Sequence, residues 1–499
     1  MIRNQSERNV VIIGGGPAGL TAAWELANQN IRPLVLEKLD KVGGISRTEN
    51  YKGFYFDVGG HRFFSKSHYA NEFWDTILGD QFLQRPRLSR IYYNGRFFNY
   101  PLKLFNVLSG LGLAQSVLII ASYLRWQIRP SKPEETFEQW VTNRFGKRLF
   151  KTFFKSYTEK VWGIPCSELK AEWAAQRIKD LSLRTAVFNM FVRPNDKITT
   201  LISEFRYPRL GPGMLWTSVK EQVEARGGSV QMESAVMGIN REGFRITSVE
   251  VCQNGRLEKI TGTDFISSMP VTQFLRSLNP PPPPVVLKAS AELKYRDFIT
   301  VCLIVDQEQL FPDNWIYIHD PAVKVGRIQN YKNWSPDMVP DASKSSLGLE
   351  YFCNEGDELW LMADEDLIEL GKREIEAIGL ASAADIHDGV VFRVEKSYPI
   401  YDQAYAHNLT IIKAYLAQFE NFQTIGRNGL HRYNNQDHAM LTGMLAVHNL
   451  LYGETNNLWV VNAEEEYHEE MDIANPQVDQ VPGFGVAALY NWILKFRTG

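Results

Sequence analysis

The stretch NVVIIGGGPAGLTAAWELANQNIRPLVLEKLD, residues 9–40, decides the fold. It opens with a β-branched run, turns through a glycine cluster, continues as an alanine-rich segment and closes with the apolar PLVLE. β-Branched runs bounded by glycine are typical of strands, whereas alanine and leucine favour helices. The stretch therefore predicts a strand, a tight turn, a helix and a second strand that ends at Glu37.

The glycine turn matches the G-x-G-x-x-G pattern of dinucleotide-binding folds. Gly14 suits the tight turn, Gly16 lets the backbone approach a pyrophosphate, and Gly19 lets the helix lie close to the strand. The pyrophosphate is expected at the helix N-terminus, because free N–H groups point there, and an acid after the second strand is placed to bind a ribose hydroxyl. The candidate cofactor residues in this stretch are Gly14, Gly16, Pro17, Ala18, Gly19, Glu37 and Lys38.

Two later features favour FAD over NAD as the cofactor. Gly43 and Gly44, followed by Ser46, would let the chain pass close to a second part of a long, extended cofactor. The segment GGSVQMESAVMGI, residues 227–239, predicts a later strand pair that includes Val236. Because a permanently held FAD is contacted by several such returns of the chain, the predicted cofactor is FAD.

Composition indicates an enzyme that acts on small molecules. The 499 residues suffice for roughly two or three domains, 44% of them are hydrophobic, and a net charge of -3 gives no attraction to nucleic acid. The four cysteines form no CxxC pair and the nine histidines show no ligand spacing, so we expect reduced thiols and no metal. The polar N-terminal decapeptide lacks a signal-peptide pattern, so we expect a cytoplasmic protein.

One uncharged stretch raises the question of a membrane. Residues 104–124, LFNVLSGLGLAQSVLIIASYL, are nearly long enough to cross a bilayer. Gly110, Gly112 and several polar residues favour two short buried helices instead. From Thr136, apolar residues recur at three- and four-residue spacing, which predicts a surface helix on an aromatic core. Basic residues on its other faces leave peripheral membrane contact open as an alternative.

The second half of the chain contains a joint and a polar segment. The proline run 280–284 predicts a stiff extended spacer, and beyond it FITVCLIVD, NWIYIH and GLEYFCN predict strands of a second sheet. GRNGLHRYNNQDHAM, residues 426–440, is dense in hydrogen-bond donors yet lies between apolar stretches. Because buried polar groups are costly unless bonded, this segment either loops to the surface or faces a polar ligand. The acidic stretch 463–472 predicts a solvated face.

Several blocks, in conserved order along the chain, resemble UDP-galactopyranose mutases, especially eukaryotic-type members, within the amine-oxidase and protoporphyrinogen-oxidase-like FAD superfamily. The blocks are FDVGGHRFFS, YTEKVWGIP, EWAAQRI, FRYPRLGPGMLW, NWIYI, GRIQNY, SYPIY and GRNGLHRYNNQDHAM. They cover most of the chain to about residue 451. The glycine turn indicates only the superfamily, whereas the blocks around His61, Arg177 and Arg327 are much narrower.

The resemblance implies an α/β fold. It implies a Rossmann-type, glutathione-reductase-like FAD-binding domain with an interleaved helical domain and a mixed or antiparallel β-sheet substrate domain. The expected boundaries are 1–98, 206–280 and 420–499 for the three parts of the FAD-binding domain with the C-terminal tail, 99–205 for the helical domain and 285–415 for the sheet domain.

The resemblance also implies an enzyme that interconverts the pyranose and furanose forms of a nucleotide sugar without net redox change. Reduced FAD (FADH−) would act through N5 on the anomeric carbon and displace the nucleoside diphosphate. NAD(P)H or another reductant would supply the electrons, and the product would serve cell-surface polysaccharide biosynthesis. The oligomeric state stays open.

The family's functional positions can be placed on this chain. Arg177 and Arg327 lie where the family has its diphosphate arginines, since the arginine fork suits such an anion, and with His61 they are the candidate catalytic residues. Gly60 and His61 match the loop that faces flavin N5. The other flavin candidates are Gly426 and Arg427 in GRNG, which would end a strand, and Asn435 and Gln436, which would open a helix toward the isoalloxazine ring. The candidate substrate residues are Tyr100, Arg177, Tyr317, Arg327, Tyr398 and Tyr433.

The chain departs from the family beside Tyr100. Eukaryotic-type members offer an aromatic residue and a glutamine to uracil after a Tyr-Pro pair, whereas this chain has Leu102 and Lys103 there. The base and the sugar therefore stay open. Two other functions compete with the mutase: an FAD oxidase or desaturase for an apolar substrate, and a membrane-associated flavoprotein that binds a lipid-linked glycan or a partner.

Overall fold

The computed structural model describes residues 8–100, 102, 106, 110–171 and 204–462. Two sequence-based expectations lie outside these ranges: the placement of Arg177 with its EWAAQRI block, and the acidic stretch 463–472. In the described ranges, no helix combines the length and the apolar character needed to cross a membrane.

Strands β1 to β20 are numbered along the described chain. They are β1 (Val10–Ile13), β2 (Leu34–Leu36), β3 (Thr48–Tyr51), β4 (Phe54–Asp57), β5 (Phe82–Pro86), β6 (Ser89–Tyr93), β7 (Arg96–Asn99), β8 (Glu204–Pro208), β9 (Ser229–Gln231), β10 (Ser234–Glu242), β11 (Arg245–Gln253), β12 (Arg256–Thr261), β13 (Asp264–Ser267), β14 (Leu278–Asn279), β15 (Tyr295–Val305), β16 (Trp315–Ile318), β17 (Arg327–Asn330), β18 (Ser345–Cys353), β19 (Ile386–Pro399) and β20 (Phe422–Thr424).

Helices are numbered in the same way. They are α1 (Pro17–Asn28), α2 (His68–Leu78), α3 (Leu113–Ile128), α4 (Phe137–Phe145), α5 (Lys147–Leu149), α6 (Ser156–Trp162), α7 (Pro212–Ala225), α8 (Val271–Ser277), α9 (Pro284–Glu292), α10 (Tyr331–Trp334), α11 (Glu358–Leu361), α12 (Asp364–Ile378), α13 (Tyr405–Leu416), α14 (Gly426–Gly429) and α15 (Gln436–Tyr452). A π-helix, Phe150–Lys155, joins α5 to α6. Short 3-10 turns are Gly44–Ser46, Gly79–Gln81, Pro336–Met338, Ala383–Asp385 and Leu458–Val460.

The N-terminal stretch forms the centre of a five-stranded parallel sheet, as its sequence predicts. The strand order is β20-β13-β1-β2-β9, and β1 is buried along its whole length. Helix α1 crosses from β1 to β2 so closely that a Cβ at Gly19 would lie 1.9 Å from the carbonyl oxygen of Gly14. Only glycine permits that approach, so the third glycine of the turn sets the distance between helix and sheet.

A seven-stranded sheet forms the second large layer. Its order is β19-β15-β18-β17-β16-β6-β7, and its pairs are antiparallel apart from the parallel pair of β16 and β6. The three strands predicted beyond the proline run are β15, β16 and β18 of this sheet. The fold is therefore α/β with a Rossmann-like domain and a mixed sheet, as predicted.

The predicted domain boundaries stay proposals. Strand β7 crosses the boundary at residue 98 and pairs with β6, which in turn pairs with β16 of the sheet assigned to 285–415. Strand β5 pairs with β8, which also joins parts of the chain that are distant in sequence.

The helical region packs aromatic side chains inward. Phe137, Trp140 and Phe145 of α4 are buried, as is Phe153 of the π-helix. The aromatic core predicted for the segment after Thr136 is confirmed, although the segment is divided into short helices and not one continuous helix.

The prediction that residues 104–124 form buried helices is wrong for the described helix α3: the chain is helical at residues 110 and 111 and breaks at Gly112, but the helix that follows is not buried. Residues 113–128 form one helix, α3, whose apolar side chains are largely exposed and in which Ser116 and Ile119 are the buried residues. Hydropathy measures how apolar a segment is, but it does not determine which face of a helix the rest of the protein covers.

Two smaller predictions also need correction. The segment 227–239 does contain two strands, but β9 pairs with β2 and β10 pairs with β11, so they do not pair with each other. The proline spacer is shorter than predicted, because Pro284 is the first residue of α9. Proline suits that position, since its missing N–H would have no partner in the first helical turn.

Candidate active site

The glycine turn and the predicted substrate residues line one cavity of about 1130 Å³. Its wall extends from Gly14 and Glu37 at one end, past His61, to Arg327 and Tyr433. Residues separated by several hundred positions are thus brought together where the carboxyl ends of the parallel strands meet the second sheet. Ligands of open α/β sheets bind at this edge.

The N-terminus of α1 forms one wall of the cavity. Gly16 is the N-cap, has extended backbone angles and provides no side-chain cap for the helix. A Cβ built on Gly16 would have Gly44 Cα, at 3.8 Å, as its nearest protein atom. The first N–H groups of α1 are therefore available to an anion in the cavity.

Glu37 is held at the end of β2. Its carboxylate accepts hydrogen bonds from the N–H groups of Gly15, at 2.6 Å, and Leu39, at 3.0 Å. Two oxygens carry more lone pairs than these bonds use, so the buried carboxylate can still accept from ribose hydroxyls. Lys38 lines the cavity beside it.

The later segments of the chain that are predicted to contact a long cofactor also line the cavity. The Gly43 N–H donates to the Gly15 carbonyl at 2.9 Å, which ties this loop to the glycine turn. Gly43 has φ +103°, a conformation that favours glycine. Gly44, Ser46 and Val236 line the cavity.

His61 follows a glycine pair after β4 and lies in the middle of the cavity wall. Its Nδ1 lies 2.8 Å from the Gly59 carbonyl oxygen, which can only accept, so Nδ1 carries the proton and Nε2 is an acceptor. Burial, assisted by the nearby cations Arg427 and Arg327, lowers the pKa of His61 to about 4. The imidazole is therefore neutral at physiological pH.

Arg327 is the first residue of β17 and is buried in the cavity wall. It forms an ion pair with Glu350 and donates from Nη2 to the Tyr398 hydroxyl at 2.6 Å. Burial alone would lower the pKa of Arg327, but the Glu350 carboxylate reverses this and raises it. Arg327 Nε has no hydrogen-bond partner among the described residues. The guanidinium is thus a fixed, permanent cation with one donor unused.

Two tyrosines and a second arginine stack beside Arg327. The rings of Tyr398 and Tyr433 are 5.5 Å apart and 24° from parallel, and Arg427 lies 4.1 Å from the Tyr433 ring centroid. Burial raises the pKa of Tyr398 to about 12, so its hydroxyl stays protonated. This hydroxyl accepts from Arg327 and keeps its own hydrogen, which it can donate.

The donor-rich segment 426–440 borders the cavity and does not project into solvent. Asn435 caps α15 through a capping box with His438, and Gln436 is the first helical residue, as predicted. The GRNG stretch does not end a strand: β20 stops at Thr424, and Gly426–Gly429 is the single helical turn α14. The polar side chains therefore lie around the N-terminus of α15, whose first residues line the cavity.

Tyr100 and Tyr317 lie together at another part of the wall. Their ring centroids are 4.7 Å apart, and Tyr317 also stacks on Trp315 at 5.5 Å. Of the predicted substrate residues that the structure describes, all line this cavity. Arg177 alone falls outside the described residues.

Sequence reasoning missed the carboxylate that organises the site. Glu350 is fully buried in β18, pairs with Arg327 and accepts from the Gly60 N–H at 3.3 Å. One glutamate within the apolar run SLGLEYFC was the available signal, because a lone acid on a buried strand needs a cationic partner. Trp315 was also missed: it stands under Arg327 and blocks any Cβ at Gly60.

The residues present fit a dinucleotide cofactor. The glycine turn leaves room for a pyrophosphate, and Glu37 is placed for a ribose. Arg427 Nε lies in the cavity wall, is buried and has no hydrogen-bond partner among the described residues. An uncompensated buried donor of this kind indicates that a polar ligand group belongs beside it.

Comparisons with known proteins show which sequences and folds this chain resembles. Residues 12–77 match the NAD(P)-binding Rossmann-like domain. The probable UDP-galactopyranose mutase of Klebsiella pneumoniae is 27% identical over 176 residues, which are 33% of this chain and 44% of that protein. A crystal structure of reduced UDP-galactopyranose mutase superposes with a TM-score of 0.79 at 23% identity, covering 92% of this chain and 100% of that one. The chain is thus similar to UDP-galactopyranose mutases in sequence over part of its length, and in fold over most of it.

The similarity extends to the wider superfamily. The probable flavin-containing monoamine oxidase A of Dictyostelium discoideum is 28% identical over 151 residues, 27% of this chain and 32% of that protein. The matched parts span less than half the length of these two relatives. The similarities therefore reach both a probable mutase and a probable flavin-containing oxidase, each over part of that protein.

Two buried histidines predict a loss of stability in mild acid. Burial lowers the pKa of both His319 and His431 to about 3. Between pH 6.5 and 3 the unfolded chain binds a proton at each position and the folded chain does not, so stability falls as the pH falls. Each histidine should contribute about 1.4 kcal/mol per pH unit within that window.

Denaturant unfolding of the full chain between pH 7 and pH 5 measures this slope. In His431→Asn the slope of the free energy of unfolding against pH should decrease by about the contribution of one proton, because asparagine does not titrate. Asparagine also tolerates the positive φ of that position. An unchanged slope in the variant would show that His431 is not buried as a neutral ring.

Proposed function

We propose that the protein is an FAD-dependent nucleotide-sugar mutase that interconverts pyranose and furanose rings without net redox change. The observation that carries this proposal is one cavity with a dinucleotide-binding glycine turn at one end and a buried arginine–tyrosine cluster at the other. A flavin alone does not explain the arginine–tyrosine cluster, whereas a ligand that carries a diphosphate does.

Arg327 is the proposed diphosphate ligand. A departing diphosphate concentrates negative charge, and a preorganised cation in a site shielded from water stabilises that charge most effectively. The Arg327 guanidinium is held by Glu350 and Tyr398 and backed by the ring of Trp315. Arg177 is proposed as the second arginine on the strength of the family resemblance alone.

The tyrosines are proposed to orient the same group. Tyr398 can donate its hydrogen to a phosphate oxygen while accepting from Arg327, and Tyr433 stacks beside it. Tyr317 and Tyr100 form an aromatic pair where a sugar or base can lie against their faces.

The flavin end of the site is proposed to lie against Gly60 and His61. Reduced FAD, when bound, supplies a nucleophilic N5 for the anomeric carbon of the sugar. His61 is neutral and presents Nε2 as an acceptor, so it can take a hydrogen bond from the cofactor or a sugar hydroxyl without adding positive charge. The Gly60 N–H is bound to Glu350, which links this loop to the arginine.

The test is incubation of the dithionite-reduced protein with UDP-, GDP- and dTDP-sugars, with furanose products detected by chromatography. We expect ring contraction or expansion with one of these substrates, and none when the flavin is oxidised. Absence of product with every substrate, in protein that carries reduced flavin, would overturn the proposal.

A second function is favoured by the apolar wall of the cavity. Apolar side chains from the helical region line it, among them Phe137, Phe145, Leu149, Phe153 and Phe154. Such a wall suits an oxidoreductase of the amine-oxidase or protoporphyrinogen-oxidase kind with an apolar substrate. Substrate-dependent oxygen uptake that Arg327→Ala leaves intact would support this alternative over the mutase.

A further inference from the structure

Helix α3 exposes its apolar face. A stripe of side chains at spacings of three and four residues points away from the protein: Leu113, Val117, Ile120, Leu124 and Ile128, with Leu118 beside it. Surface helices of soluble domains normally turn such a stripe toward the core. Helix α3 therefore turns its apolar face to solvent, the reverse of the usual arrangement.

Polar contacts hold the helix in this orientation. Gln115, itself exposed, accepts from Arg148 Nη2 at 2.8 Å, and the half-buried Ser122 accepts through Oγ from the Arg148 N–H at 3.1 Å. Near its C-terminus, Gln127 Nε2 donates to the Asn143 carbonyl at 2.8 Å. Rotating α3 to bury the stripe would break all three bonds, so the exposed stripe is a feature of the packed structure.

The charged residues of α3 and of the four residues that follow it are positive. Residues 113–128 contain no acid, and Arg125 and Arg129 are exposed at the C-terminal end, followed by exposed Lys132. The nearest acid along the chain, Glu134, is engaged by Arg144 at 2.9 Å. An apolar stripe with cations along its edge complements a bilayer surface whose headgroups are anionic.

The length of α3 fits a helix that lies on a membrane and not one that crosses it. Its 16 residues span about 24 Å, shorter than the hydrocarbon core of about 30 Å. Arginine stems can lie along the acyl boundary while their guanidinium groups reach headgroup phosphates.

We propose that α3 docks the protein onto the surface of an anionic lipid bilayer. The stripe inserts at the level of the acyl boundary, and Arg125 and Arg129 bind headgroup phosphates. This interaction is separate from the proposed mutase reaction, because no residue of the stripe lines the cavity.

Cosedimentation of the flavin-loaded full chain with lipid vesicles tests the proposal. Phosphatidylcholine vesicles with added phosphatidylglycerol should bind the protein, pure phosphatidylcholine vesicles should bind it more weakly, and added salt should weaken the anionic binding. The double variant Val117→Gln, Leu124→Gln should lower partitioning at least about tenfold, because both side chains belong to the inserted stripe.

The chain offers matched controls. Val285 and Leu257 are exposed to 59% and 69%, against 59% and 54% for Val117 and Leu124, so Val285→Gln with Leu257→Gln removes the same side-chain types elsewhere. Charge reversal at Arg125 and Arg129 is compared with reversal at exposed Arg256 and Lys259. Retained flavin and a single monodisperse peak show that each variant is folded.

Three results would overturn the proposal. The wild-type protein could fail to sediment with the anionic vesicles, or the stripe variant could bind as well as its control. Analytical ultracentrifugation without lipid could show a dimer that the stripe variant converts to monomer, in which case a second copy of the chain covers α3.

Discussion

Arg327→Ala is expected to lower turnover of the nucleotide sugar by about 10²–10³-fold, with reduced flavin still bound. The loss arises because this guanidinium is a fixed cation aimed at the charge that develops on the departing diphosphate, and donors of this kind contribute about that much to rate. Product formation by the dithionite-reduced protein measures the effect. A nucleotide-sugar Kd measured alongside separates lost binding from lost turnover.

The same substitution also affects folding, so it needs controls. Truncation leaves Glu350 buried without its cation, which costs about 3–5 kcal/mol. Arg90→Ala is a matched control, because Arg90 pairs with the fully buried Asp313 at 2.9 Å outside the cavity. The double variant Arg327→Met, Glu350→Gln removes both charges and should recover stability without recovering turnover.

The two controls define the results that would contradict the role proposed for Arg327. If Arg90→Ala and Arg327→Ala lose stability alike and also keep turnover alike, then Arg327 is structural and the diphosphate does not bind beside it. If the double variant regains turnover, the charge of Arg327 is not needed.

The first half of the fold could be predicted because its signals are local. The strand, the glycine turn and α1 lie within one continuous stretch, and the structure reproduces the steric reasons predicted for Gly14 and Gly19. The strands beyond the proline run were equally readable, since continuous apolar runs predict buried strands.

Sheet pairing and helix orientation could not be predicted from local sequence patterns. The joining of β6 and β7 to the sheet of β15 to β19 depends on contacts between distant segments, which no local pattern records. Likewise the sequence of α3 shows an apolar helix, but only the bonds of Gln115, Ser122 and Gln127 determine which side faces the protein.

In the candidate site, too, some residues could be predicted from the sequence and others could not. Arg327 and Tyr398 were placed through the family resemblance, and the structure brings them to one cavity wall. Glu350, which binds both Arg327 and the Gly60 loop, lies within the predicted strand GLEYFCN and belongs to no recognised motif. A partner that acts through a buried ion pair becomes visible only when the two strands, β17 and β18, are set side by side.

Gly16→Ala is expected to raise the Kd for FAD at least about 100-fold while leaving the apoprotein as stable as before. A methyl group at this position would have no protein atom nearer than 3.8 Å, and φ of -80° suits alanine, so the polypeptide itself tolerates the change. The methyl group would instead project toward the cavity, where the pyrophosphate is expected to approach the backbone most closely. Binding is lost because the ligand, and not the protein, meets the new atom.

Gly19→Ala provides the contrast. There the added Cβ would lie 1.9 Å from the Gly14 carbonyl oxygen, so the apoprotein itself must distort, and both stability and flavin content should fall. Fluorescence titration of the two apoproteins with FAD, beside their denaturant unfolding curves, separates the effects. If Gly16→Ala binds FAD as tightly as the wild type, no pyrophosphate lies against the N-terminus of α1 and the cofactor occupies the cavity in another way. If it instead unfolds like Gly19→Ala, the space beside Gly16 is already filled by the protein, and the glycine turn serves packing alone.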